Sequence, residues 1–402
     1  MEARRVIFVN RYFHPDHSAT SQMLTDLAFF LAGRGWQVSV VTSRQRYDDP
    51  GSELPARESV RGVSIHRVAT TRFGRALLPG RAIDYLTFYV SAFLALFLMI
   101  RRKSLVVAKT DPPLISAVAA LATRLRGGTL VNWVQDLFPD VAVALGVMRS
   151  GSLTTRLANR LRDAALRRAR TNVALGDLMA EAIRARGARV VVQHNWADSS
   201  LVPVARDANS LRAEWGLGDH FVAGYSGNLG RAHEFATLLG AMRQLAGDPR
   251  VRFLIIGAGA HLAELREKTA GLGNVRFQPY QPRETLGMSL SVPDVHLISL
   301  QPALEGLIVP SKLYGILAVA RPAIHIGASE GEVGRILLAN DCGMVVAPGD
   351  TTGLARAITM LASDPGRAAA MGARGQSLFE TAYGADVALP RWESILSEAA
   401  DG

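Results

Sequence analysis

The chain has 402 residues, enough for two or three domains, and its 49% hydrophobic content is ample for well-packed cores. Its single cysteine, Cys342, excludes an intramolecular disulfide framework and a cysteine-based zinc cluster, and it is compatible with a reducing cytosol. Residues 1–5 lead directly into a strand pattern, so we expect no secretory leader and a cytoplasmic protein.

The net charge of +10 is concentrated in the first half of the chain. Residues 1–200 contain 28 Lys and Arg against 15 Asp and Glu, whereas residues 201–402 contain 17 against 20. This asymmetry predicts that the first half contacts an anionic membrane surface or another polyanion. Nucleic acid is not an expected partner, because the arginines are scattered along helices without a reader motif or an aromatic platform.

Short buried-type strands alternate with helical stretches in the first half. The residues with this strand pattern are 6–9, 38–41, 105–108, 130–134 and 190–192. A helix is predicted from Gln22 to Arg34, because apolar residues recur there on one face and glycines follow.

The second half repeats this alternation. Its predicted strands are 221–225, 253–256, 275–277, 295–300, 323–326 and 343–346. Two such runs predict an α/β protein of two Rossmann-like, doubly wound parallel-sheet domains. We place the domains at residues 1–200 and 201–383, and we expect residues 384–402 to return to the first domain through an apolar helix face.

Sixteen residues without a charge run from Tyr85 to Ile100, and Arg101, Arg102 and Lys103 follow them. A helix of that length spans about 24 Å, short of the ~30 Å hydrocarbon core, so we do not expect it to cross a membrane. Two interpretations remain. The helix is buried in the first domain, or its apolar face enters the inner leaflet beside the basic flank.

Gly257-Ala258-Gly259-Ala260 follows a predicted strand and resembles part of the dinucleotide-binding fingerprint. Leu262 occupies the third glycine position, so a tight strand-to-helix turn is the better interpretation. The sequence has no Walker A loop, metal-binding HExxH helix or G-x-S-x-G motif, and we expect neither a metal nor another cofactor.

The segment from Glu305 to Lys312 lies between the predicted strand 295–300 and a helical run. Ligands of α/β sheets bind at the carboxyl ends of strands, where helix N-termini favour phosphate groups. The segment therefore predicts a ligand site. The alternative is an ordinary loop with Glu305 in solvent.

Four segments of the second half resemble family 4 glycosyltransferases of the GT-B fold in order and spacing: Tyr225–Arg231, Ile256–Gly259, Phe277–Tyr280 and Glu305–Lys312. In the first half, residues 12–20 and 134–140 resemble the subgroup that builds bacterial surface polysaccharides such as O-antigen and capsule, including fucosaminyltransferases. The resemblance covers the whole chain. It implies two domains facing a cleft, and a sugar that moves with retention from a nucleotide-diphosphate sugar, expected to be a UDP-sugar.

The resemblance also implies a glycan acceptor, expected to be lipid-linked, and an enzyme peripheral on the inner face of the cell membrane. A leaving diphosphate gains negative charge, so we assign Arg231 and Lys312 to stabilise it. Glu305 would hold a hydroxyl of the donor sugar. The full predicted donor site comprises Ser18, Gly227, Asn228, Gly230, Arg231, Gly257, Tyr280, Glu305, Gly306, Leu307, Ile308, Ser311 and Lys312. For Tyr280, a core or surface aromatic is the alternative to a base contact.

On the acceptor side we expect His17, Thr20 and Asp136. Asp136 follows a predicted strand and would orient the acceptor hydroxyl, which makes it a catalytic residue together with Glu305, Arg231 and Lys312. The alternative for Asp136 is an N-cap of the next helix. Ser and Thr residues near position 18 also cap helices.

Two departures from the family pattern concern the donor site. Leu313 stands where many members carry a second glutamate that contacts ribose. The usual lysine a few residues after the loop arginine is also absent, and His233 and Glu234 lie in that region of the sequence. These departures leave the ribose contact unassigned. The alternatives to a transferase are a UDP-sugar 2-epimerase of the same fold and a membrane-peripheral binding subunit without catalysis.

Overall fold

A computed structural model describes residues 4–16, 18–47, 49, 51, 53–73 and 78–401. The chain forms two compact units. Unit 1 comprises residues 1–194 and 389–402, and unit 2 comprises residues 195–388. The division falls a few residues before the predicted one.

Unit 1 is built on an eight-stranded sheet with the order β3-β4-β2-β1-β5-β6-β7-β8. The strands are β1 (Arg5–Val9), β2 (Gln37–Ser43), β3 (Arg57–Val60), β4 (Val63–Val68), β5 (Leu105–Lys109), β6 (Thr129–Trp133), β7 (Thr171–Ala174) and β8 (Val190–Val192). Among the strands in the described part of unit 1, the edge strand β3 pairs antiparallel with β4 and the others pair parallel, as predicted.

The five strands predicted in this half are present, whereas β3, β4 and β7 were not predicted. β3 carries charged residues at an exposed edge, and β4 alternates buried and more exposed positions. In β7 the buried Asn172 accepts a hydrogen bond of 2.8 Å from Asn132 of β6. Charges at an exposed edge, alternating exposure and paired buried asparagines therefore hid β3, β4 and β7, respectively, from a search for apolar runs.

The helices of unit 1 are α1 (Ala19–Gly33), α2 (Leu78–Met99), α3 (Ile115–Arg126), α4 (Asp140–Ala144), α5 (Leu153–Arg168) and α6 (Asp177–Arg184). α1 confirms the predicted helix and begins three residues before Gln22. Helix α3 packs against α2 on one side and α5 on the other, and the three helices share one hydrophobic core with the sheet.

Helix α2 is longer than predicted. Its 22 residues span about 33 Å at 1.5 Å per residue. The uncharged run from Tyr85 to Ile100 is only part of this helix, which also includes Arg81 and Asp84; inside the fold Asp84 pairs with Arg11 at 3.6 Å. Within the described residues, its stretch Pro79–Met99 is long and apolar enough to span a membrane by length and composition. One face of the helix, however, is buried in the unit 1 core through Phe88 and Leu96.

Unit 2 contains a six-stranded, fully parallel sheet with the order β11-β10-β9-β12-β13-β14. The strands are β9 (Phe221–Ser226), β10 (Val251–Ile256), β11 (Val275–Gln278), β12 (Val295–Ser299), β13 (Ala323–Ile326) and β14 (Gly343–Val346). All six predicted strands of this half are confirmed. The order reverses between β9 and β12, and such a switch point is where open α/β sheets bind ligands.

The helices of unit 2 surround this sheet. They are α7 (Ser210–Glu214), α8 (Ala236–Gln244), α9 (Leu262–Lys268), α10 (Leu286–Leu290), α11 (Lys312–Ala318), α12 (Glu332–Ala339), α13 (Thr351–Ser363), α14 (Pro365–Leu378) and the first residues of α15 (Ala385–Asp401). The remainder of α15 belongs to unit 1. There Trp392 is fully buried, with its ring 4.5 Å from that of Trp133.

Candidate functional site

The loops that follow β9 and β10 pack backbone against backbone at the switch point of unit 2. The N–H of Gly227 donates to the carbonyl of Ile256 at 2.9 Å, and that of Leu229 donates to Ala258 at 2.8 Å. Gly257 has a φ of 137°, and a Cβ at this position would lie 2.1 Å from the carbonyl oxygen of Gly227. Glycine is therefore required here, and the tight-turn interpretation of Gly257 and its neighbours is confirmed.

Lys312 begins α11 and extends beneath the first of these loops. Its Nζ lies 3.6 Å from the ring centroid of Tyr225, and a Cβ at Gly227 would lie 3.5 Å from the same nitrogen. Nζ is buried and has no hydrogen-bond partner among the described residues. Burial lowers the pKa of Lys312 from 10.5 to about 7. A buried ammonium without a counterion is suited to an anionic ligand.

His233 lies close to this ammonium group and was not assigned a role from the sequence. Its Nδ1 is 2.5 Å from the carbonyl oxygen of Ser299, and its ring meets the Tyr225 ring edge to face at 5.9 Å. Burial, and then the charge of Lys312, lower the pKa of His233 to about 4. A neutral imidazole therefore stands where the family pattern has a lysine. The sequence signal for it was its position two residues after Arg231.

Two polar side chains of the first glycine loop lie on the surface. Arg231 and Asn228 are exposed, and the backbone carbonyl of Arg231 accepts a hydrogen bond of 2.8 Å from Gln301. A Cβ at Gly230 would lie 2.9 Å from the side-chain nitrogen of Asn228. The structure thus places Arg231 on the same loop that covers Lys312, with its guanidinium group accessible. Its phosphate role stays a prediction.

Glu305 follows a short 3-10 helix after β12, and its carboxylate is directed into the protein. The side chain is 12% exposed, and neither oxygen has a hydrogen-bond partner among the described residues. Oε1 lies 3.6 Å from Nε2 of His325 on β13. Gly306, at φ 72°, turns the chain immediately afterwards. The alternative that Glu305 lies in solvent is therefore wrong.

The remaining predicted donor residues differ in which polar groups are free to contact a ligand. The N–H groups of Leu307 and Ile308 both donate to the carbonyl of Leu304, at 3.0 and 3.3 Å. Ser311 is the N-cap residue of α11 and makes no capping hydrogen bond with its side chain. Tyr280 is 55% exposed, so the core alternative for this residue is wrong. A surface aromatic and a base contact both remain open.

Leu313, at the position of the missing second glutamate, is fully buried in a hydrophobic cluster of unit 2. It offers no polar group to a ribose. Among the described residues no group of three or more His, Cys, Asp and Glu side chains is placed to hold a metal ion.

Asp136 follows β6 in unit 1 and lines a pocket there. The other polar side chains of that pocket are Thr110, Ser116, Asn132 and Arg162. The Oδ1 atom of Asp136 is buried and has no hydrogen-bond partner in the described part of the chain. Burial, and then the charge of Asp111, raise the pKa of Asp136 to about 7. The N-cap alternative is wrong, because α4 begins at Asp140 and its N-cap residue is Pro139.

The predicted residues after β1 also lie in unit 1. The Ser18 hydroxyl donates to Asp16 at 2.5 Å, and the backbone carbonyl of Thr20 accepts a hydrogen bond of 2.9 Å from Lys109. His17 lies outside the described residues. Ser18 precedes α1 but makes no capping hydrogen bond with its side chain. The donor role of Ser18 and the acceptor roles of His17 and Thr20 stay predictions.

The protein therefore has two Rossmann-like units, and one of them holds a buried cation and a buried carboxylate at a sheet switch point. This arrangement is the one expected for a glycosyltransferase of the GT-B fold. Sequence profiles agree with this class. The Glycosyl transferase 4-like domain matches residues 19–196, and the Glycosyl transferases group 1 domain matches residues 220–364. Together the two matches span most of the chain. The chain belongs to the family 4 glycosyltransferases.

Two relatives of similar sequence are named as glycosyltransferases. The chain is 29% identical to the probable glycosyltransferase WbjE of Pseudomonas aeruginosa, over 64% of this chain and 66% of WbjE. It is 26% identical to the putative colanic acid biosynthesis glycosyl transferase WcaI of Escherichia coli K12, over 81% of this chain and 83% of WcaI.

Solved structures share the fold over nearly the whole chain. Sucrose-phosphate synthase from Thermosynechococcus elongatus superposes with a TM-score of 0.77 at 16% identity, covering 98% of both chains. HepE from Anabaena, in complex with UDP, superposes with a TM-score of 0.72 at 16% identity, covering 98% of this chain and all of the other. The predicted fold class, GT-B with two Rossmann-like parallel-sheet domains, is confirmed.

The pKa of Lys312 predicts that UDP-sugar binding weakens as the pH rises above about 7. In the free protein this ammonium loses its proton near pH 7, and a bound diphosphate would raise its pKa. Binding must then take up a proton above pH 7, and affinity falls by up to about tenfold per pH unit. Calorimetry from pH 6 to 9 measures this slope. A UDP-sugar is used because free UDP itself titrates near pH 6.

Lys312→Met should remove the slope and weaken binding at pH 7. The matched control is Lys268→Met, because Lys268 is exposed and already paired with Glu264 at 2.6 Å. An equally steep pH dependence in Lys312→Met would contradict the assignment of the diphosphate to Lys312.

Proposed function

We propose that this protein is a retaining glycosyltransferase that moves a sugar from a UDP-sugar to a lipid-linked glycan acceptor at the inner face of the cell membrane. The observation that carries this proposal is the pair of buried groups in unit 2. Lys312 lacks an anion and Glu305 lacks a hydrogen-bond donor among the described residues, and both follow the switch-point strand β12. A diphosphate and a sugar hydroxyl are the chemical complements of these two groups.

Lys312 serves the diphosphate in this proposal. When the bond from the sugar to the phosphate breaks, negative charge grows on the leaving diphosphate, and a fixed cation stabilises that charge. Arg231 adds a second cation from the exposed side of the glycine loop. The choice of UDP is supported by HepE, whose structures contain UDP and UDP-glucose. Retention is proposed from membership of the family.

Glu305 serves the sugar. Its carboxylate accepts a hydrogen bond from a sugar hydroxyl, which reduces the cost of burying a carboxylate without donors. Asp136 serves the acceptor from unit 1. With a pKa of about 7 it exists in both ionisation states near neutral pH, so its ionised form orients the acceptor hydroxyl and takes up its proton.

Incubation with a panel of UDP-sugars and a bacterial membrane lipid extract tests the reaction. We expect a lipid product one sugar heavier, found by mass spectrometry, and NMR of that product should show the anomeric configuration of the donor. Conversion of the UDP-sugar without any acceptor would instead indicate an epimerase. Donor binding without turnover on any extract would indicate a binding subunit.

Asp136→Asn and Glu305→Gln should separate transfer from donor binding. Asp136→Asn should reduce transfer while UDP-sugar affinity stays nearly unchanged, because every assigned donor contact except that of Ser18 lies in unit 2. At saturating donor the wild-type rate should rise as the pH passes through about 7, and this rise should be lost in Asp136→Asn.

Glu305→Gln should weaken UDP-sugar binding by about 1.5–3 kcal/mol, the value of a hydrogen bond to a charged group, and should affect free UDP less. Calorimetric titration of both variants with UDP and with UDP-sugar checks this division. Equal losses of UDP affinity in the two variants would contradict it.

The membrane part of the proposal rests on one face of unit 1. Helices α2, α3 and α5 pack side by side, and each presents leucine or valine residues to solvent one turn apart. These residues are Leu86, Val90, Leu94 and Leu98 on α2, Leu121 and Leu125 on α3, and Leu153, Leu157 and Leu161 on α5. We call them the three-helix face. Exposed apolar patches of this extent mark interaction surfaces.

The charges around the three-helix face support an anionic lipid surface as the partner. Exposed basic residues on or beside these helices are Arg101, Arg102, Lys103, Arg124, Arg126, Arg156 and Arg160. From Tyr85 to Gln135 the sequence contains one acidic residue, Asp111. An apolar face with a basic border matches an anionic lipid surface, into which apolar side chains insert while the basic ones contact headgroups. Such a surface would also present a lipid-linked acceptor.

Replacing Arg101, Arg102 and Lys103 by Gln should weaken binding to phosphatidylglycerol-containing vesicles by roughly 3 kcal/mol, because each basic residue near an anionic surface contributes about 1 kcal/mol. Sedimentation with vesicles measures this, and salt should release the wild type. The double variant Leu153→Gln, Leu157→Gln should also bind less, since it removes inserted side chains.

A matched control removes three exposed arginines from unit 2: Arg335, Arg356 and Arg367, each to Gln. It should sediment like the wild type. Equal binding of the wild type to anionic and neutral vesicles would contradict the membrane proposal without affecting the donor site.

A further inference from the structure

We infer that His325 is a positioning residue for Glu305 and holds this carboxylate in place for the donor sugar; the inference rests on the proposed function. His325 lies on β13 and is fully buried. Neither of its ring nitrogens has a hydrogen-bond partner among the described residues. Buried polar atoms normally have partners, and one without a partner destabilises the protein. Packing alone therefore does not account for an imidazole at this position.

The nearby carboxylate of Glu305 is the polar group with which His325 can interact. Nε2 of His325 and Oε1 of Glu305 are 3.6 Å apart, slightly longer than an ordinary hydrogen bond. A shift of about 0.4–0.6 Å would bring the two atoms within hydrogen-bond distance. In the tautomer with its proton on Nε2, His325 donates to Oε1, and Oε2 is left to accept a hydrogen bond from a sugar hydroxyl.

Two glycines make room for this pair. A Cβ at Gly331 would lie 2.3 Å from the Glu305 carboxylate carbon, and a Cβ at Gly327 would lie 2.2 Å from Nε2 of His325. Each group thus lies directly against a glycine backbone, where no larger residue fits. The space on this side of the sheet is filled by the imidazole and the carboxylate together, so each restricts the orientation of the other.

A second buried histidine shows that packing alone does not explain His325. His296 lies on the neighbouring strand β12 and is also fully buried. Its Nε2 lies 2.8 Å from the carbonyl oxygen of Leu290, so its ring is held by the backbone. His325 has no such backbone partner among the described residues, and its nearby polar group is the predicted sugar-binding carboxylate.

The consequence is a donor site in which sugar recognition and nucleotide recognition depend on different residues. His325 and Glu305 together set the affinity gained from the sugar, that is, the ratio of the Kd for UDP to the Kd for the UDP-sugar. A purely structural histidine would change folding stability and leave that ratio constant.

The test measures this ratio for His325→Leu and His325→Gln, using UDP and the UDP-sugar that binds most tightly in a panel. We expect His325→Leu to lower the ratio about tenfold, because it removes a hydrogen bond to a charged group. His325→Gln keeps an N–H donor and should recover most of the ratio. The double variant His325→Leu, Glu305→Gln should lose no more than Glu305→Gln alone, because both residues act through one contact.

His296→Leu is the matched control: it should lower the thermal unfolding midpoint and leave the ratio unchanged. An unchanged ratio in a folded His325→Leu protein would overturn the inference and leave the proposed function intact. Failure of the wild type to bind UDP or any UDP-sugar would overturn the proposed function, and the inference with it.

Discussion

The contact between the two glycine loops of unit 2 is the constraint on which the proposed donor site depends. Because Gly257 lies directly against the carbonyl of Gly227, the ends of β9 and β10 meet without side chains between them. The loop at Gly227 therefore packs closely over Lys312 and shields its ammonium group from water. The low pKa of Lys312 is thus a product of backbone packing rather than of neighbouring charges, since burial is its cause. A larger residue at Gly257 would separate the loops and return the lysine to solvent.

Buried groups without partners lower the folding stability of the protein when no ligand is bound. Isolated buried charges cost several kcal/mol each, and Lys312 and Glu305 have no hydrogen-bond partner among the described residues. Their cost is offset when a ligand supplies the complementary groups, so binding energy and folding energy are linked at this site. The same reasoning explains why Leu313 is tolerated nearby. It faces the hydrophobic core, where a glutamate would add another buried charge.

The sequence predicted the centre of the fold better than its edges. Strands buried on both faces, such as β1 and β9, consist of apolar runs that are visible without a structure. β3 and β7 were missed because charges at an edge and paired asparagines conceal them. Glu305 and Lys312 were found through a motif. His325 was not, because its proximity to Glu305 arises from the pairing of β12 with β13, which no local pattern encodes.

The position of α15 has a consequence for how the chain is made. Residues 195–388 form unit 2 from one continuous stretch, whereas unit 1 requires residues 389–402 from the very end of the chain. Trp392 covers Trp133, and Glu393 pairs with Arg34 at 3.2 Å. During synthesis, unit 2 is therefore fully translated while unit 1 still lacks its last helix. A chain whose synthesis stops before Trp392 would therefore contain the whole of unit 2, while Trp133 of unit 1 would lack the ring that packs against it.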